Sequence, residues 1–179
     1  MDILFYLKFW LSSLKGRKRF YTQHLTSIFD VDLAALKTNG ISLLAFDVDD
    51  TLGEHKGGIS EQTIEFLNKA SDEGFKLAIL SNCGKRRMEE VVKVFGPMNI
   101  YIEQSNTKPN PRGYFNVCNK LKVGTENAAM FGEKIGTDMY GAFLAGYKER
   151  ILVKPYTLIF GGKKSSWVER AIRFVENLT

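Results

Sequence analysis

The chain has 179 residues, enough for one domain with a hydrophobic core, and its 44% hydrophobic content is ordinary for a globular protein. Two cysteines without a metal-binding or disulfide spacing and only two histidines argue against a zinc site or a Ser-His-Asp triad. The net charge is +5, but five Lys and Arg against one Asp give residues 1–20 a charge of +4. The rest is nearly neutral, so nucleic acid is not an expected partner.

The N-terminal segment is apolar and aromatic over residues 1–14 and basic from Lys15 to Arg19. It is shorter than the roughly 20 apolar residues that span a bilayer, and its charge follows the apolar run, unlike that of a secretory signal. We therefore predict that residues 1–24 bind an anionic membrane surface, with residues 25–179 forming the catalytic domain. The alternative is a helix that packs on the domain or on a partner subunit. The expected location is cytoplasmic, peripheral on the inner face of the membrane; the sequence indicates no oligomeric state.

Beyond this segment, predicted strands and helices alternate. The helices are expected near 32–37, from Ser60 to Gly74, at 85–95, 111–121 and 137–145, and from a capping box at Ser166. The strands are expected at 41–46, 76–80, 100–103, 128–132 and 150–153. Repeated strand–helix units predict an α/β fold, a doubly wound parallel sheet flanked by helices.

Asp47 and Asp49 follow the strand predicted at 41–46. Side chains at i and i+2 share a face of a strand, and open α/β sheets bind ligands at the carboxyl ends of their strands. Of two convergent carboxylates, one can act as a nucleophile and the other can carry a proton. Their combined charge attracts a divalent cation. The alternative is an ordinary acidic turn.

Later predicted strands also end in residues suited to phosphate. Ser81 and Asn82 offer a hydroxyl and an amide before a helix, and Lys108 offers a point charge before another. Glu133 and Asp138 add two carboxylates after the strand at 128–132. Each pattern is common alone, but together and in this order they predict a phosphate site.

These motifs resemble those of the haloacid dehalogenase (HAD) superfamily, D-x-D-x-T, S/T, K and an acidic G-D-x-x-x-T-D, over about residues 25–160. The segments Ser27–Leu33 and Ile151–Pro155 are similar to subclass III phosphatases related to phosphatidylglycerophosphate phosphatase. The resemblance implies an HAD-like Rossmannoid fold. It also implies a phosphatase in which Asp47 forms an aspartyl-phosphate and Asp49 acts as general acid and then base.

The same resemblance implies which residues hold the phosphate and the metal. Thr51 would position its loop, and the phosphate-binding set would be Thr51, Ser81, Asn82 and Lys108, with Lys108 also offsetting the charge of Asp47. A magnesium ion would be held by Asp47, the Asp49 carbonyl, Glu133 and Asp138. The chain departs from the family in having Glu133 in place of the usual Asp, and Phe143-Leu144 where close relatives often have Asn-Arg.

The spacing of the motifs leaves no room for a cap domain. The segments from Thr51 to the next helix and from Ser81 to Lys108 are short, with only a flap around Gly53–Gly58. An open site suits a large substrate or one presented on a surface, so we expect a lipid phosphate monoester, phosphatidylglycerophosphate being the leading candidate. The alternatives are a cytosolic phosphatase acting on nucleic-acid ends, sugar phosphates or phosphoproteins, and a membrane scaffold of low activity.

Overall fold

A computed structural model describes residues 3–13, 16–103 and 108–162, with side chains from Lys8 onward. The final helix predicted from Ser166 lies outside these residues. Within them, six strands form one parallel sheet in the order β1-β6-β5-β2-β3-β4. The strands are β1 (Gln23–Leu25), β2 (Leu43–Phe46), β3 (Lys76–Leu80), β4 (Tyr101–Glu103), β5 (Ala128–Gly132) and β6 (Glu149–Val153). The predicted doubly wound parallel sheet is confirmed.

The helices occupy the connections between the strands. They are α1 (Ile3–Ser13), α2 (Leu33–Thr38), α3 (Glu61–Asp72), α4 (Lys85–Phe95), α5 (Arg112–Leu121), α6 (Tyr140–Ala145) and α7 (Tyr156–Ile159). The Ser60 side chain caps α3 by accepting a hydrogen bond from the Thr63 N–H, as the sequence predicted. The helix predicted at 137–145 differs from the observed one, because a π-helical turn, Ile135–Met139, precedes α6.

Hydrophobic side chains cover both faces of the sheet, which separates two buried clusters. Neighbouring residues of a strand contribute to opposite clusters: Leu43 lies in one and Leu44 in the other. The rings of Phe46 and Phe131 stack with centroids 4.8 Å apart on the paired strands β2 and β5. This packing holds together the strand ends that carry the acidic residues.

The N-terminal segment contributes to the domain core. Phe9 of α1 and Phe20 are fully buried, and their ring centroids lie 5.3 and 5.1 Å from that of Tyr140. Strand β1, which the sequence analysis did not predict, pairs with β6, so the proposed boundary at residue 24 lies inside a strand of the sheet. No helix in the described part of the chain has both the length and the hydrophobicity needed to cross a membrane.

The centre of the sheet determines where a ligand can bind. From β2 the chain continues through β3 and β4 on one side, and β5 and β6 lie on the other. Ligands of open α/β sheets bind where the strand order reverses, here between β2 and β5. The loop after β2 forms a short flap closed by the bridges of Gly53 to Asp49 and Ile59, and the described residues include no cap domain.

Candidate active site

Asp47 lies directly at the carboxyl end of β2. Its backbone N–H donates to the Phe131 carbonyl at 3.0 Å, which continues the pairing of β2 with β5 by one residue. The Asp47 side chain is buried, and its Oδ1 lies 2.6 Å from Lys108 Nζ. Burial raises the pKa of the Asp47 carboxyl, but the nearby Lys108 and Lys134 ammonium groups outweigh burial and lower that pKa overall. Asp47 is therefore ionised and available as a nucleophile.

Lys108 bridges two of the acidic residues. Its buried ammonium donates to Asp47 Oδ1 and to Asp138 Oδ1, both at 2.6 Å. Burial lowers the pKa of Lys108, whereas the Asp138 and Asp47 carboxylates raise it and outweigh burial. Lys108 thus remains charged between the end of β2 and the turn that precedes α6.

Asn82 holds the backbone of Lys108. The Asn82 amide donates through Nδ2 to the Lys108 carbonyl at 2.8 Å and accepts through Oδ1 from the Lys108 N–H at 2.9 Å. These two hydrogen bonds join the loop after β3 to the loop that carries Lys108. Asn82 therefore positions Lys108, while a contact of its own with phosphate stays a prediction.

Three buried carboxylates form a cluster at the site. Asp47, Glu133 and Asp138 each offer an oxygen within 4.8 Å of the others. The Lys134 backbone N–H donates to Asp138 Oδ2 at 3.1 Å and the Lys134 ammonium lies 2.9 Å from Glu133 Oε1. A side chain at Gly132 would collide with Asp138, so the close approach of β5 to the following turn requires glycine.

The chemistry of this cluster fits a hard divalent cation. Magnesium prefers oxygen ligands and commonly uses one or two carboxylates together with water and substrate phosphate. All three donors are carboxylates and lie close together in a buried position. The longer side chain of Glu133 still brings its carboxylate into the cluster, where Thr51 Oγ1 donates to Glu133 Oε2 at 3.4 Å.

Asp49 faces the flap and α4. Its Oδ1 accepts hydrogen bonds from the Lys56 backbone N–H at 3.0 Å and from Arg87 Nε at 3.1 Å. Arg87 was not among the site residues predicted from the sequence. The available signal was the basic run Lys85-Arg86-Arg87 in the first turn of α4, close behind Ser81 and Asn82.

Ser81 follows β3 and is buried next to β2. Cys83, two residues further along the chain, is also buried. Burial raises the pKa of Cys83, and the raised value keeps the thiol protonated near neutral pH. Cys83 is therefore unsuited to be a nucleophile, whereas the Ser81 hydroxyl remains a predicted phosphate ligand.

A further buried acid, Asp50, holds α7 against the loop after β2. Asp50 Oδ1 accepts from Thr157 Oγ1 at 2.6 Å, and its carbonyl accepts from the Tyr156 N–H at 2.8 Å. Asp50 has a φ of 64°, a left-handed conformation that Asp adopts more readily than most residues. The sequence did not reveal this role, because Asp50 and Thr157 are far apart in the chain.

The sequence is similar to those of known hydrolases. The family model described as "Hydrolase: haloacid dehalogenase-like hydrolase" matches residues 8–146. The chain is 27% identical to "Probable phosphatase YqeG" of Bacillus subtilis over 142 residues, which are 77% of this chain and 80% of that protein. It is 28% identical to a phosphoglycolate phosphatase of Psychrobacter arcticus over 102 residues, 54% of this chain but only 44% of that protein.

A solved structure supports the fold. A hypothetical protein from Xanthomonas campestris aligns with a TM-score of 0.50 at 16% sequence identity, covering 75% of this chain and 77% of the other. At this identity the likeness concerns the arrangement of the sheet and helices alone.

Proposed function

This chain belongs to the haloacid dehalogenase-like hydrolase family, and we propose that, as a phosphatase of this family, it hydrolyses phosphate monoesters through an aspartyl-phosphate on Asp47. The observation that carries the proposal is the setting of Asp47. This buried carboxylate is kept ionised by Lys108 and lies beside Glu133 and Asp138 at the carboxyl edge of the sheet. A phosphoryl group bound here would meet a nucleophile and positive charge together.

The reaction has two steps. In the first, an Asp47 oxygen attacks phosphorus, the bond from phosphorus to the ester oxygen breaks, and Asp49 gives its proton to the departing alkoxide. In the second, Asp49 takes a proton from water, the resulting hydroxide attacks phosphorus, and the bond from phosphorus to Asp47 breaks. The products are an alcohol and inorganic phosphate, and the enzyme returns to its starting state, with Asp47 as a carboxylate and Asp49 as a carboxylic acid.

Charge compensation is supplied by the residues around Asp47. Lys108 would contact a phosphoryl oxygen while remaining near Asp47, and the Ser81 hydroxyl would donate to another. Asp47, Glu133, Asp138 and the Asp49 carbonyl would hold a magnesium ion. When bound, magnesium neutralises charge on the phosphoryl oxygens and reduces their repulsion by the carboxylates.

For the substrate, we propose a lipid phosphate monoester such as phosphatidylglycerophosphate. The described residues include no cap domain, and a site without a cap suits a substrate presented on a surface. Helix α1 supports a role at the membrane, since Trp10 and Leu11 are 38% and 71% exposed and Arg19 lies nearby, donating to the Ser12 carbonyl. In this proposal the protein lies on the inner face of the membrane, with the opposite face of α1 packed into the core.

A second candidate is a cytosolic phosphatase for a water-soluble monoester. Burial of Phe9 in the domain core favours it, because this contact accounts for part of the apolar character of α1 without a membrane. Sugar phosphates, nucleic-acid ends and phosphoproteins are then the substrates to compare. A scaffold of low activity is the third candidate, motivated by the replacement of the usual Asp with Glu133.

The test is a substrate panel on purified full-length protein with magnesium. Short-chain phosphatidylglycerophosphate, sugar phosphates, a nucleotide and p-nitrophenyl phosphate are compared for wild type and Asp47→Asn. We expect turnover by the wild type, none above background by Asp47→Asn, and the highest kcat/KM on the lipid. Preference for a soluble ester would select the second candidate, and equal rates for the two proteins would select the scaffold.

A further inference from the structure

A cavity of about 400 Å³ lies beside the acidic cluster. It is formed between the 3-10 turn Arg17–Phe20, strand β1 and the chain that follows β6. Glu133 belongs both to the wall of this cavity and to the carboxylate cluster around Asp47. The cavity therefore borders the position where a phosphoryl group would react.

The cavity wall is largely apolar, but most of its charged groups are cations. Arg17, Lys18 and Lys154 line it together with His24, and its one carboxylate, Glu133, is within 2.9 Å of the Lys134 ammonium. These cations come from opposite ends of the chain, and the pairing of β1 with β6 brings them together. Such a wall favours an anion.

Arg17 is held in place by aromatic rings. Its side chain is buried, and the guanidinium carbon lies 5.8 Å from the centroid of Phe9 and 5.1 Å from that of Trp10. A cation fixed over aromatic faces loses less conformational freedom when it binds a ligand than a mobile surface lysine does. Leu152 and Leu158 add apolar surface to the same cavity.

We infer that this cavity binds a second anionic group on the alcohol part of the substrate, so that the enzyme selects phosphate monoesters that carry another negative charge. The inference rests on the proposed phosphatase function and adds a specificity site to it. With the reacting phosphoryl group at Asp47, the alcohol can extend past Glu133 toward Lys154 and Lys18. A phosphodiester in the substrate has the charge and the size for such a site.

Four substrates separate recognition of the phosphodiester from recognition of the acyl chains. Short-chain phosphatidylglycerophosphate and its water-soluble deacylated form both carry a phosphodiester in addition to the monoester, whereas short-chain phosphatidic acid and p-nitrophenyl phosphate carry only the monoester. The variants are Lys154→Ala, Lys18→Ala and the conservative Lys154→Arg. Lys93→Ala is the matched control, since Lys93 is an exposed lysine in the last turn of α4.

We expect Lys154→Ala and Lys18→Ala each to lower kcat/KM by about tenfold on the two phosphodiester-containing substrates, mainly through KM. Rates on phosphatidic acid and the aryl ester should stay unchanged, Lys154→Arg should recover most of the loss, and Lys93→Ala should match the wild type. An equal effect on the lipid and its deacylated form would place recognition in the anionic group, and an effect on the lipid alone would assign the cavity to acyl chains and overturn the inference.

Equal losses on all four substrates would also overturn it, since the lysines would then serve the common reaction or the fold. Melting temperatures equal to that of the wild type would show that the lysines serve the common reaction and not the fold. If the wild type hydrolyses the aryl ester but does not prefer the two phosphodiester-containing substrates to phosphatidic acid, the inference is rejected and the phosphatase function stands. A wild type inactive on all four would remove both.

Discussion

Arg87 and Asp49 form an ion pair at the edge of the site, with Arg87 Nη2 3.0 Å from Asp49 Oδ1 and both side chains 13% exposed. Because the same oxygen accepts the Lys56 backbone N–H, the carboxylate is held between α4 and the flap. Glu90 completes the arrangement by pairing with Arg87 Nη1 at 3.0 Å. Arg87 therefore controls the orientation of the group proposed to protonate the leaving oxygen.

Replacing Arg87 should affect esters according to their leaving groups. In Arg87→Ala, we expect kcat on an alkyl phosphate to fall by about a hundredfold, because a displaced Asp49 protonates the alkoxide poorly. The loss on p-nitrophenyl phosphate should be much smaller, since nitrophenolate leaves without a proton. Arg86→Ala is the control, as the Arg86 side chain is 94% exposed on the same helix. Equal losses on both esters would show that Arg87 does not act through Asp49.

Removing the Lys108 ammonium should destabilise the protein as well as inactivate it. Lys108→Met would leave the Asp47 and Asp138 carboxylates buried without their common partner, and losing one member of a buried ion pair costs about 3–5 kcal/mol. Urea unfolding with a chelator present measures the change, with the exposed Lys120→Met as control. A free energy of unfolding equal to that of the wild type would contradict the assigned charge pairing.

Glu133 should control the magnesium requirement. With Glu133→Ala the cluster loses one of its three carboxylates, so we expect the magnesium concentration for half-maximal activity to rise by about tenfold or more. KM for substrate at saturating magnesium should change far less, and Glu133→Asp should retain activity. Glu65→Ala, an exposed change on α3, is the control. An unchanged magnesium titration in Glu133→Ala would assign Glu133 to holding Thr51 and Lys134 instead.

The two faces of α1 should respond differently to substitution. The exposed change Leu11→Asp should weaken binding to phosphatidylglycerol vesicles and lower activity on lipid phosphate, while leaving activity on p-nitrophenyl phosphate unchanged. Phe9→Ala should instead lower the free energy of unfolding by about 3 kcal/mol, because it empties part of the core. Val94→Asp, a change at a partly exposed residue of α4, controls for added surface charge. Vesicle binding by Leu11→Asp equal to that of the wild type would remove the membrane role of α1.

The repeated strand–helix pattern and the residues at the strand ends could be predicted from the sequence because both depend on local order. Hydrophobic runs gave β3 and β5 their bounds, and Ser60 marked the start of α3. Asp47 was found because carboxylates directly after an apolar strand are costly to bury without a function or a partner.

Short elements stabilised by distant partners could not be found in this way. Strand β1 has three residues, Gln23, His24 and Leu25, too few for an alternating pattern, and it exists through its pairing with β6 near the other end of the chain. The π-helical turn before α6 likewise departs from the periodicity of an α-helix, so the predicted helix began two residues too late.

The sequence alone determined which chemical groups stand at the strand ends, since the order of Asp47, Lys108 and Asp138 can be read directly. Only the tertiary structure decided that one ammonium lies 2.6 Å from both carboxylates and that Arg87 pairs with Asp49. It also decided that α1 packs into the core through Phe9. Local periodicity specifies strands and helices, whereas side-chain contacts between distant segments depend on how the sheet and its helices pack, which no local pattern encodes.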